Sequence, residues 1–169
     1  MKATMTALLV AAVVAMNAPA LSRADGTPGC VDATAGFREM TPGTLHIARE
    51  EAEATRLDVL VASNAHARAA GFQHICPETV GSTAILFRFE RDTRNPFHMR
   101  NVHAPLDIAF IDARGVVVDV LRMEPYVASI VFTRQTIYQS RAPFRFALET
   151  AAGRMPELGI SIGTRLRLE

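Results

Sequence analysis

Short apolar blocks broken by turn residues run through most of this chain, and few of them keep helical spacing. Residues 56–61 (RLDVLV) alternate polar with aliphatic side chains and read as a strand. A shorter strand is expected at 45–47. Ser63 or Asn64 can cap a brief helix over Ala65–Ala70, and Gly71 stops it. Residues 73–82, with His74, Cys76 and Pro77, read as a loop, and the next strand spans 84–89. Residues 91–96 turn the chain, 97–102 extend, and Leu106–Ile111 form an apolar strand. Asp112-Ala113-Arg114-Gly115 then makes a hairpin turn into a strand at 116–123. Further strands are expected at 129–132, 144–149 and 164–168, with one helical turn over 153–158 that Pro156 limits. Many short strands divided by turn residues predict a mainly β domain, sandwich- or barrel-like, with one short helix. The runs at 84–87 and 116–118 are its expected core strands.

The N-terminal apolar block is of another kind. Met1-Lys2 is a basic start, residues 7–16 are continuously apolar, and small residues follow at cleavage spacing in 18–20 and 22–24. A membrane-crossing helix needs about 20 apolar residues, so this run suits an export signal cleaved after Ala24. Cys30 follows Thr27-Pro28-Gly29, which lacks the large apolar residue of a lipoprotein signal. The expected organisation is a signal peptide over 1–24, a mobile leader over the Gly- and Pro-rich 25–43, and one domain over 44–169, exported to a periplasm or beyond. No membrane span is expected after cleavage.

Composition narrows the chemistry. Loss of residues 1–24 leaves sixteen basic against seventeen acidic residues. That balance argues against nucleic acid as a partner. Lys2 is the only lysine, so Schiff-base and lysine-base mechanisms are excluded once the signal is gone. Cys30 and Cys76 can form a disulfide in an oxidising compartment, worth roughly 3–4 kcal/mol on a chain-entropy basis. There is no C-x-x-C, so thiol redox catalysis is not expected.

Four motifs carry a resemblance. The most specific is residues 97–112, FHMRNVHAPLDIAFID. The others are RAAGFQ at 68–73, AILF at 84–87, and FALETAAG at 146–153 with Gly159 and Gly163 beyond it. Together they resemble DUF192 (UPF0127), a widespread bacterial and archaeal family of unknown function. Its pattern for the first motif reads roughly F-W-M-K-N-T-x-x-P-L-D-I-x-F-I-D. The resemblance spans about residues 44–168 and implies a mainly β fold of sandwich character with a short helix before a glycine, here Gly71. It implies no reaction. His98, Arg100 and Val102 replace the family's common Trp, Lys and Thr, and Tyr126 follows Pro125 where the family often has Cys.

The candidate site is built on the same segment. If 97–102 were a regular strand, His98, Arg100 and Val102 would share one face and Met99, Asn101 and His103 the other. Arg100 offers a rigid fork suited to carboxylate or phosphate. Asp107 lies inside an apolar strand and must be paired if buried, with Arg100 or Arg68 as the expected partner. The set expected to surround a small polar ligand is Arg68, Phe97, His98, Arg100, Asn101, Asp107 and Glu149, with Glu124 a further acid able to face the region. Another envelope protein is the other expected partner. A second reading is copper or zinc on His98 and His103, with His74, Cys76, Met99 and Met123 as further ligand types, although the spacing fits no established metal pattern. A third is a hydrolase, through a Cys76–His pair or paired acids such as Asp107 and Glu149. There is no G-x-S-x-G or H-E-x-x-H motif, and catalysis and bound cofactors are not the primary expectation.

Overall fold

Alternation along the central strands decides the architecture. On β3 (Ile85–Thr93), Ile85 and Phe87 join one apolar cluster and Leu86 joins another. On β5 (Leu106–Ile111), Leu106, Ile108 and Phe110 go to the first cluster and Ala109 and Ile111 to the second, which leaves the whole strand buried. On β8 (Phe144–Ala151), Ala147 and Leu148 divide in the same way. A sheet whose strands bury both faces shows near-continuous apolar runs, as at 84–87, one of the two core runs expected from the sequence; the other, 116–118, buries Val117 and half-buries Val118.

The computed structural model describes residues 29–48, 54–126 and 136–169. The signal segment expected over 1–24 and the strand expected at 129–132 lie outside the described residues. The remaining elements are α1 (Ala35–Arg38), β1 (Thr41–Ile47), β2 (Thr55–Ala62), α2 (Ala65–Ala70), α3 (Pro77–Ser82), β4 (Phe97–His98), β6 (Val117–Met123), β7 (Ile137–Tyr138), α4 (Arg154–Glu157) and β9 (Leu166–Leu168). Seven strands form one curled sheet in the order β6-β5-β8-β3-β2-β1-β9, and β4 pairs with β7 in a small ribbon. The fold is mainly β, a half-barrel in a single domain. All named pairings are antiparallel except β2 with β3, and that parallel step needs the crossover that α2 and α3 provide.

The curl brings the two ends of the sheet together. Val116 bridges Arg165, and Leu166 N–H donates to the Gly115 carbonyl at 2.7 Å. Gly115 has φ 81°, and a Cβ there would strike the Leu166 carbonyl oxygen, so this hairpin position requires glycine. Asp112 closes the same turn by accepting from the N–H groups of Arg114 and Val116, both at 2.9 Å.

Three differences from the sequence expectation bear on the site. Residues 29–43 are not a leader in their described part. They carry α1, begin β1, and are tied down by the Cys30–Cys76 disulfide and a Val31–Ile75 bridge. The loop expected at 73–82 contains α3, whose Pro77 sits at the first turn where the missing N–H costs nothing. The extended segment expected over 97–102 ends at His98, because Asn101 turns into the left-handed region at φ 56°.

Candidate ligand-binding cavity

Asn64 caps α2 as expected, accepting from Ala67 N–H at 2.8 Å. Gly71 ends the helix at φ 46°, ψ −137°, a conformation open to glycine alone, and its N–H returns to the Ala67 carbonyl. That turn lifts the chain off β3 and leaves a cavity of about 260 Å³ between the end of α2, β3, β4 and β8. Phe72, Phe87 and Phe97 form apolar wall, Arg68 and His98 bring polar groups to it, and Glu149 is its acid.

Register explains why Glu149 points there. It pairs with Ile85 on β3 and Ile108 on β5, and shares their face of the sheet with Ala147 and Phe87. Glu149 is only 5 % exposed. No hydrogen bond or ion pair reaches its carboxyl among the described residues, and burial pushes its pKa up to about 8. It is therefore mainly a neutral acid at pH 7.

The aromatic wall is interlocked. Phe97 meets Phe87 edge-on at 5.2 Å and Phe110 at 5.7 Å between ring centroids. Arg68 is engaged elsewhere: Nη1 donates to the carbonyls of Ser63 (2.6 Å) and Arg88 (3.2 Å), and its guanidinium lies 5.2 Å from the Phe89 ring centre. His98 is held below its ordinary pKa by burial and then by the charge of Arg100.

Of the seven residues singled out from the sequence, Arg68, Phe97, His98 and Glu149 line this cavity, and Arg100, Asn101 and Asp107 do not. Arg100 and Asn101 are exposed, and the Asn101 carbonyl accepts from His74 N–H at 2.7 Å. Asp107 faces the other side of the sheet. Its ion pair is with Arg122, directly opposite on β6 at 3.2 Å, instead of the expected Arg100 or Arg68. Its second oxygen accepts from Gly153 N–H at 2.6 Å. Asp107 thus ties β5 to the turn that follows β8, and it cannot act as an acid beside Glu149. Glu124 pairs with Arg122. Cys76 is in the disulfide and holds no free thiol. Among the described residues no three His, Cys, Asp or Glu come close enough to hold a metal ion, and His103 Nε2 is buried without a partner. Sequence reasoning took Gly71 only as a helix stop and Phe87 only as core. The cue that both belong to the site is the register that sets Glu149 beside them.

A protein-family model, DUF192, described as an uncharacterized ACR, matches residues 46–168. No curated protein matches the chain. Two solved structures share its fold. One, described as a putative transcription regulator from Sinorhizobium meliloti, has a TM-score of 0.66 and 24 % identity over 76 % of this chain and 95 % of its own. The other, a protein of unknown function from Novosphingobium aromaticivorans, has a TM-score of 0.62 and 20 % identity over 80 % of this chain and 97 % of its own.

Proposed function

The chain belongs to the DUF192 family, and within that family we propose that it is an exported binding protein that holds a small ligand in the cavity above Glu149. One observation carries the reading: a carboxyl buried to 5 % exposure, with no partner among the described residues, lies in a 260 Å³ space walled by phenylalanine. Buried acids in folded proteins are ordinarily paired, and one left open to a cavity is poised for a visitor. Clefts that set an apolar wall beside a few convergent polar groups are a usual form of small-molecule site.

Export is part of the proposal. The basic start, short apolar run and small-residue cleavage spacing of residues 1–24 support it. So does the pairing of both cysteines, which suits an oxidising compartment.

Native mass spectrometry of protein recovered from its own host tests both parts. The expected species lacks residues 1–24, is two protons lighter than the dithiol, and carries an organic mass that Glu149→Gln protein lacks. A full-length, reduced chain overturns export. An adduct carried equally by Glu149→Gln protein overturns the cavity as the binding site.

A further inference from the structure

The ligand's charge can be argued from what surrounds Glu149; this step rests on the binding role proposed above. The ionisable side chains that line the cavity beside that carboxyl are Arg68 on α2 and His98 at the end of β4, while β3 and β5 set Ile85 and Ile108 opposite it. Arg68 is committed to two backbone carbonyls and the Phe89 ring, and His98 is held toward its neutral form. No cation among the described residues forms an ion pair with Glu149. Burial is the cause that raises its pKa, and among the described residues no positive charge offsets it.

The space beside the carboxyl is also specific. Gly71 has no side chain, and a Cβ there would sit 3.9 Å from Glu149 Oε2 and 3.4 Å from Phe87 Cζ. The turn therefore keeps a gap about the size of a methyl group open between an aromatic ring and an unpaired carboxyl oxygen. A desolvated carboxylate attracts a cation strongly, and the ring beside it offers apolar surface to the cation's carbon groups.

We propose that the cavity binds a small organic cation, an amine or quaternary ammonium, with its charge against Glu149 and its carbon groups against Phe87 and Phe97. Binding exchanges charges. At neutral pH Glu149 gives its proton to solvent as the cation enters, so below about pH 8 the buried carboxylate forms mainly when paired. Affinity for a ligand of fixed charge therefore rises about tenfold per pH unit while Glu149 starts protonated, and levels off above about pH 8.

The test uses tetramethylammonium, whose charge does not change with pH, beside two probes of similar shape: neutral tert-butanol and anionic pivalate. Each is titrated into the exported protein at constant ionic strength, and the Gly71 amide and Phe97 ring are followed by NMR. The expected result is saturable shifts with tetramethylammonium, tightening roughly tenfold from pH 6.5 to 7.5, and at least tenfold weaker binding in Glu149→Gln. The pH series on unaltered protein needs no variant, so a misfolded Glu149→Gln would not rescue the idea. Saturable shifts with tert-butanol or pivalate and none with tetramethylammonium would overturn the cationic class and leave the cavity's binding role standing. Silence from all three probes at both reporters would overturn the two together. Cation binding with no pH dependence would remove Glu149 from the site.

Discussion

Two carboxylates lie about equally deep in this protein, on opposite faces of one sheet, and they do opposite work. Asp107 and Glu149 are 6 % and 5 % exposed. Asp107 meets the Arg122 guanidinium and the Gly153 N–H, so its charge is answered within the fold. Glu149 meets phenylalanine and an open space, and it is answered by a proton. Burial alone therefore does not separate an acid paired within the fold from one left without a partner among the described residues. What separates them is whether the protein supplies the partner. The sheet makes the division geometrically, since odd and even positions of neighbouring strands look into different compartments.

The largest break in the comparison is expected from Glu149→Gln, read as stability against pH. An acid with a raised pKa keeps its proton on folding, so the folded state loses ground as pH climbs from the ordinary value of 4.5 to about 8. That span is worth about 5 kcal/mol, less any relief from water in the cavity. The variant should flatten the profile, gaining on the parent protein up to pH 8 and holding a constant margin beyond it. Urea unfolding at pH 5, 7 and 9 checks this, and parallel profiles would mean that Glu149 is already paired.

Asp107→Ala should do the reverse. It leaves Arg122 paired with Glu124 alone and removes the acceptor of the part-buried Gly153 N–H, at a cost of roughly 1–3 kcal/mol, and it should leave tetramethylammonium affinity unchanged in whatever fraction stays folded. A binding defect without a stability defect would undo the assignment of Asp107 to the frame. Gly71→Ala is expected to be milder for folding, about 1–2 kcal/mol from its backbone conformation, because the contacts its Cβ would meet are ordinary ones. Its effect on the ligand should be larger, since it fills the gap beside Oε2. Smallest of all is Arg122→Ala. Its side chain is 51 % exposed, so the loss should stay near or below 1 kcal/mol, well under that of Asp107→Ala, and the difference between the two measures the value of the Gly153 anchor.

How much of this was legible beforehand follows from the same two residues. Asp107 stood out as an acid inside an apolar strand, and the need to pair it was correct physics. Its partner was not readable, because Arg122 lies opposite only once the β5–β6 register is set, and that register carries a bulge at Phe110/Ile111. Glu149 was singled out as an acid able to face the region, but its separation from Asp107 depends on the pairing of β5 with β8, which local sequence does not contain. The strand expected over 97–102 failed at Asn101, where one left-handed residue ended the alternation. The mainly β class, the helix before Gly71 and the hairpin at 112–115 were legible because each rests on neighbouring residues. Pro77 was a helix-start signal that went unused, and α1, four residues in a Gly- and Pro-rich stretch, had too little periodicity to declare itself.

The order of strands in the sheet also governs when the cavity can come into being. β1 with β2 and β5 with β6 are pairs of chain neighbours, and each can zip early. β8 is the strand that joins the two blocks, since it lies between β3 and β5. Glu149 rides on that joining strand, so its burial has to wait for the long-range closure that is the slow step in folds of this kind, expected in milliseconds to seconds. A chain caught before that step holds Glu149 in water as an ordinary, ionised acid. The acquisition of its proton is thus a natural clock for completion of the fold, readable as proton uptake from a weakly buffered solution during refolding at pH 7.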